Sequence, residues 1–190
     1  MTIFSAYVDD VLDNGMDYSA VFITAAELGV GEFSGTIHSG MRFINVTVPQ
    51  GATINSADIT TYGEYNSTGT PAARWYAWAN DNAGRFSTGG DLPSTVTKTT
   101  AFTTFTMSTG DIAHSITSVI QEIINRAGWV SGNAINMIAF DNGSSDPSVQ
   151  GWLGHNDGSP SLLEIDYTAG GASVGSGLIT GLKLNRMSLV

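Results

Sequence analysis

Three histidines are the first residues to test for chemistry, because imidazole titrates near neutrality and ligates metals. His38, His114 and His155 stand far apart, and none has a metal-ligating partner four residues on. Cysteine is absent, which removes a thiolate metal site, a cysteine nucleophile and a disulfide framework. The loop Asp141-Asn142-Gly143 through Asp146 offers oxygens to calcium. It has glycine at its third position, however, and no downstream glutamate where an EF-hand needs one, so an Asx-type turn is the expectation. Metal and cofactor are both expected to be absent.

Nucleophile and phosphate motifs fail on spacing. Gly128-Trp-Val-Ser-Gly132 puts its serine one place late for a nucleophile elbow, and Gly181-Leu-Lys183 lacks the Gly-Lys adjacency of a phosphate loop. Gly175-Ser-Gly177 with Gly181 has no βαβ context for a dinucleotide. Asp9 and Asp10 are consecutive, so on a strand they point to opposite faces. Glu64, Asp91, Asp157 and Glu164 are a glycosidase pair only if the fold brings two of them together. The reading is a protein without enzymatic activity. The ligand-like feature is aromatic: Trp75, Tyr76 and Trp78, with Trp152 later, either fill a core or form a platform that stacks on sugar rings. Trp75, Trp78 and Trp152 are therefore the candidate glycan-binding residues.

The elements that position these residues are mainly strands. Twenty-three glycines and a threonine-rich stretch over 95–106 favour strands and turns. Ser19–Thr24 reads as a short apolar strand. Arg42–Val48 alternates, with Ile44, Val46 and Val48 on one face, and Pro49-Gln-Gly51 ends it as a turn. Ala57–Tyr65, the aromatic Ala73–Ala79, the alternating Val96–Met107 and the apolar Asn133–Phe140 follow. A short piece lies around Trp152, and Ser161–Thr168 opposes Leu163, Ile165 and Tyr167 to Glu164 and Asp166. One helix stands out, over about 115–126: Ile116, Val119, Ile120, Ile123 and Ile124 recur at the helical period, with Ser115 as N-cap, Arg126 in the last turn and Gly128 at C′. About eight short strands and one short helix predict a mostly β fold, a jelly-roll-like two-sheet antiparallel β-sandwich.

The 190 residues are 42% hydrophobic and 13% charged, enough apolar material for one core. A net charge of -10 disfavours nucleic acid as a partner. The N-terminus has no basic segment ahead of an apolar one, so no signal peptide is expected, and no apolar run is long enough to cross a membrane. Charge divides the chain unevenly. Residues 1–41 hold six acids and no Lys or Arg, and are set apart as an acidic segment, partly strand, ahead of a sandwich over 42–168. Residues 169–190 form a Gly/Ser hinge and an apolar arm that includes Lys183 and Arg186 and no acid. The arm is either a last strand on its own domain or an insertion into a neighbouring subunit. Its candidate contact residues are Leu178, Ile179, Leu182, Lys183, Leu184, Arg186, Met187 and Leu189.

Two stretches carry a resemblance. Arg42-Phe-Ile-Asn-Val-Thr-Val-Pro-Gln-Gly-Ala-Thr-Ile-Asn-Ser-Ala57 is followed by the helical block Ile116–Trp129, then Ser131-Gly-Asn133, a strand, and Leu162-Leu-Glu-Ile-Asp-Tyr-Thr168. This layout resembles carbohydrate-binding-module-like β-sandwiches, including DNRLRE-type domains, in the form found in tailed-phage virion proteins. The resemblance covers about residues 40–168 and implies a jelly-roll sandwich with a structural or adhesive role. It carries over no catalytic residue. The function it implies is a capsid decoration or cement protein on the outer surface of the phage particle, a homo-oligomer in contact with the major capsid protein or other virion subunits. The rival is a carbohydrate-binding module or adhesin that binds surface glycans.

Overall fold

The structure is a computed structural model that describes residues 1–24, 26–66, 69–155 and 158–170. The chain is mostly β and antiparallel, with a single short α-helix among the described residues. Twelve strands form: β1 (Thr2–Tyr7), β2 (Asn14–Tyr18), β3 (Val21–Ile23), β4 (Glu27–Glu32), β5 (Thr36–Phe43), β6 (Thr53–Asn66), β7 (Ala73–Ala77), β8 (Thr103–Phe105), β9 (Gly110–Ser115), β10 (Ile135–Asp141), β11 (Ser148–Leu153) and β12 (Leu162–Thr168). The helix α1 spans Thr117–Ile124.

Hydrogen bonding follows one path, β1-β12-β6-β11-β4-β5-β10-β7-β8, with β2 on β5, β3 on β2 and β9 on β6. The path turns back on itself. Trp152 of β11 and Trp75 of β7 are four ladder steps apart, about 19 Å on a flat sheet, yet their ring centroids lie 5.7 Å apart. The fold is thus sandwich-like, with the turn-back between β11 and β7, and β6 is the longest strand of the path. One edge of β6 pairs with β12 over Thr53–Thr60 and then with β11 over Tyr62–Asn66, while β9 runs along the other edge. A register shift opposite Gly151 and Trp152 follows the change of partner. Gly63 sits at that shift. A Cβ there would meet the Ser108 carbonyl oxygen at 2.0 Å, so only glycine lets the incoming chain pass so close.

The helix expectation holds in its core face: Ile116, Val119, Ile120, Ile123 and Ile124 are all fully buried. Its ends differ. Ser115 belongs to β9 and does not cap; Ile116 occupies the N-cap position without a side-chain bond. Gly128 is not among the residues with left-handed φ; its hydrogen faces the Asp81 carboxylate instead. Side chains hang the helix on β6. Gln121 accepts from Ile54 N–H and donates to the Ala52 carbonyl, and the Thr117 hydroxyl accepts from Ala57 N–H.

Three strand expectations are corrected. Residues 44–48 are not laddered, because Asn45 takes φ +54 and bends the chain out of the sheet, though Val46 and Val48 remain buried as the alternation requires. Val96–Met107 is a strand only over Thr103–Phe105; before it, the Thr99 hydroxyl accepts from Ala77 N–H and donates to the Ala101 carbonyl in place of a ladder. In Ser19–Thr24, Ser19 and Ala20 have positive φ and make the turn of the β2–β3 hairpin, leaving Val21–Ile23 as an exposed edge. Residues 1–41 supply β1 to β4 and most of β5, and Leu28 and Val30 lie in the same core as Ile59 and Ile165. The hinge and arm fall outside the described residues beyond Gly170.

Truncation of Ile120 to Ala is expected to cost ~2–5 kcal/mol in denaturant unfolding, since the side chain is sealed between helix and sheet. A cost below ~1 kcal/mol would show that the helix does not depend on this contact.

Candidate functional site

Trp75 and Trp152 form no platform. Both are fully buried; Trp75 stacks on Phe105 with centroids 4.5 Å apart and packs edge-on to Trp152. Their indole nitrogens are buried without an acceptor, so the rings are placed for volume and expose no face to a sugar. Trp78 lies on the opposite face of the aromatic run, half-buried, and stacks on Phe86 at 5.8 Å. Phe86 in turn lies flat on Gly40, where a Cβ would meet its ring at 2.1 Å. All three tryptophans are packing residues.

The charged side chains of the interior are also used up in place. Asp13 is only 2% exposed, and its Oδ1 accepts from Arg42 Nη1 at 3.1 Å and Arg85 Nε at 3.0 Å. Arg85 Nη2 reaches on to Asp10 Oδ2 at 2.8 Å, while Asp10 Oδ1 caps the short turn at Leu12. Lys98 Nζ donates to the Ser94 carbonyl and lies 4.3 Å over the Phe140 ring; burial lowers its pKa. Arg126 pairs with Asp81 at 2.5 Å, and Arg74 sits over Phe102 at 4.3 Å. These contacts fasten the long connection between β7 and β8, and residues flanking it, to the sheet.

The Asp141 loop is the expected Asx turn. Its carboxylate accepts from Gly143 N–H at 3.1 Å and from the Ser144 hydroxyl. Asp141 N–H donates to His38 Nδ1 at 3.0 Å, which fixes His38 as an acceptor, and burial lowers its pKa. His114 is 8% exposed against Phe105 and Trp75, and burial lowers its pKa to about 4. Among the described residues no cluster of His, Asp or Glu has the arrangement of a metal site. Asp157 and the Glu64 side chain lie outside what the structure describes.

The surface feature the sequence reading missed is a cleft of about 430 Å³ lined by Tyr7, Thr60, Tyr62, Asp111, Pro160 and Leu162, together with Gly158 and Ser159. Register explains it. Tyr7, Leu162 and Thr60 stand in one row across β1, β12 and β6, and Tyr62 pairs with Asp111 two residues along. Ile59, Thr61 and Leu163 point inward, so this set points outward. The alternation of Ala57–Tyr65 contained this signal, because an inward Ile59 puts Thr60 and Tyr62 on the outer face. By strand spacing the two tyrosines are about 12 Å apart. Tyr7 is 57% exposed. Two rings, a hydroxyl and a carboxylate around an open cleft suit a ligand with both apolar and hydroxyl faces.

No protein-family model matches the chain, and no curated protein matches it in sequence.

The buried histidine yields a pH test. His114 is neutral in the native state and protonates above pH 4 only when the chain unfolds. The unfolded state therefore binds the extra proton between pH 6.5 and 4, and stability falls as pH drops through that window. His114→Leu should remove ~3 kcal/mol of that acid loss, read from urea midpoints at pH 7 and pH 4. Parallel curves for the two proteins would contradict the assignment.

Proposed function

We propose that the protein is a structural subunit of a phage particle, a decoration or cement protein that associates with the capsid and with its own copies and catalyses no reaction. The observation that carries this reading is where the N-terminal strand meets β12, the last described strand. Thr2 of β1 pairs with Tyr167 of β12, so the N-terminal strand and the start of the hinge share one corner of the sandwich. β1, Thr-Ile-Phe-Ser-Ala-Tyr, has no charge and no proline, and Ile3 and Tyr7 are exposed on it. Proteins normally protect such an edge. The arm that leaves the same corner contributes Leu178, Ile179, Leu182, Leu184, Met187 and Leu189. The resemblance to virion sandwiches supports the same role, on the outer surface of the particle.

The reading is tested on intact particles. The protein should copurify at fixed stoichiometry, and a chain lacking 178–190 should fold but lose occupancy. Occupancy should also fall as salt rises toward ~1 M, where the screening length drops to ~3 Å. Normal decoration by the truncated chain would remove the arm from the account, and absence from particles would remove the role.

The Tyr7–Tyr62 cleft favours a second reading, a module that binds a neutral glycan, now through these tyrosines and Asp111 in place of the tryptophans. Retention on a neutral polysaccharide column, reduced by ten times or more in Tyr62→Ala with unchanged unfolding, is the expected result. One lost stacking contact of about 1.4 kcal/mol gives that factor of about ten. No retention of the intact protein would end this reading.

A further inference from the structure

Cations and carboxylates are unevenly matched over the molecule. All five basic residues of the described chain, Arg42, Arg74, Arg85, Lys98 and Arg126, are held by a carboxylate, a carbonyl or a ring. The outer face of the β1-β12-β6-β9 layer has the reverse imbalance. Ser5, Glu164, Asp58 and Ser115 stand in one row across the four strands, with Asp111 further along, and Ile3, Asp166 and Ser56 form the next row. Glu164 and Asp58 are directly opposite each other, a like-charge pair that costs stability, and no described cation pairs with either. The remaining basic residues of the sequence are Lys183 and Arg186.

This face borders the unprotected edge. Among the described residues β1 pairs with β12 alone, so its other side offers backbone donors and acceptors to one more strand. Inward from that edge point Thr2, Phe4 and Ala6; outward point Ile3, Ser5 and Tyr7. The arm includes Leu182-Lys183-Leu184-Asn185, an alternation of period two.

We infer that residues 178–190 of a second copy add to the free edge of β1 as an antiparallel strand, with Lys183 over the carboxylates of the outer face. The inference rests on the assembly reading and names the surface that receives the arm. Parity decides the charge contact. When Leu182 and Leu184 continue the inward row beside Phe4, Lys183 must point outward. Set against Ser5, it lies in the row of Glu164 and Asp58; set against Ile3, it lies in the row of Asp166. Both registers put the lysine in the same row as an acid of β12, across one uncharged residue of β1, and the one-residue slips that would expose the leucines do not. Direction favours a second copy. β12 ends beside Thr2, so an arm that returned directly within its own chain would run parallel to β1. Every ladder of the described sheet is antiparallel. An arm from a neighbour is free to enter in that sense.

The absence of cysteine makes the test site-specific. One preparation of the full chain carries Ser5→Cys and another Asn185→Cys; they are mixed and treated with a short bis-maleimide. The expected result is a cross-linked pair that contains one chain of each kind. Lys183→Glu should weaken self-association about tenfold and Glu164→Lys in the same chain should restore it, as one exposed ion pair replaced by a repulsion and then rebuilt. Absence of the mixed product where the intact chain self-associates would overturn the inference. So would a doubly substituted chain that cross-links only within itself on dilution. If deletion of 178–190 abolishes association while the mixed product never forms, the assembly reading stands and the β1 edge is wrong. If the deleted chain associates normally, both fall.

Discussion

The constraint on which the rest depends is that one strand has to serve two partners along a single edge. β6 is fourteen residues long, and it hands its edge from β12 to β11 part-way along. Its pairing with β11 carries a register shift, and a local irregularity of this kind needs room where another segment passes. Gly63 supplies the room beneath Ser108. Beyond β11 the path turns back through β4, β5 and β10, so that Trp75 and Trp152 meet edge to face and Phe105 stacks on the first. The α-helix belongs to the same construction. It lies against the N-terminal half of β6, fixed by Gln121 and Thr117 to backbone groups at Ala52, Ile54 and Ala57. Its β-branched residues have poor intrinsic helix propensity, so burial of the isoleucine stripe is what holds it helical.

Long apolar alternations were legible in the sequence because burial alone sets them. Leu163, Ile165 and Tyr167 point inward in β12, and the stripe of α1 is buried along its whole length. Short strands were not legible. β2 is Asn-Gly-Met-Asp-Tyr and β4 is Glu-Leu-Gly-Val-Gly-Glu, compositions that local propensity assigns to turns. They are strands because β5, β11 and their neighbours offer ladders, a tertiary effect invisible to a window of residues. The converse failure is the stretch 44–48. Its burial alternates like a strand, but Val46 N–H goes to the Asn133 carbonyl and Val46 accepts from Gly132, so it is fastened outside any ladder. Burial period and hydrogen-bond ladder are separate properties, and the sequence reports the first more directly.

The tryptophans failed as ligand residues for a related reason. An aromatic run announces a large area that must go somewhere, and parity shows which residues share a face without showing which face is covered. Both faces of the aromatic run are packed here: Trp75 against Phe105 and Trp152, and Trp78, half-buried, against Phe86. The second cover depends on the connection that includes Phe86 and Val96, which packs on Ile138 and is tied down by the Arg42–Asp13–Arg85 contacts. Nothing local to Trp78 foretells that the segment from Phe86 onward will return over it. Tyr62 had the opposite fate, since the outer face of β6 carries no such return and its ring lines an open cleft.

Electrostatics divides the molecule along the same line. Where the surface is covered, Asp13 is answered by two guanidinium groups and Asp141 by its own turn, while Asp17 takes Ser94 N–H on one oxygen and keeps the other buried without a hydrogen bond. A buried charge without a partner would cost several kcal/mol, so folding enforces this pairing. On the open β1-β12-β6-β9 face no such enforcement applies, and Asp58 and Glu164 remain opposite each other in water. An exposed like-charge pair costs only a fraction of a kcal/mol to about one, little enough to persist in a stable domain. It becomes consequential when a strand adds beside it, because approach of another surface removes screening water and raises the value of any cation brought along. The same face that weakens the isolated domain slightly thus discriminates among incoming strands, repelling acidic ones and accepting a basic one. The contrast between this acidic face and the basic arm is, on this account, the source of specificity at an edge whose backbone would otherwise accept any extended segment.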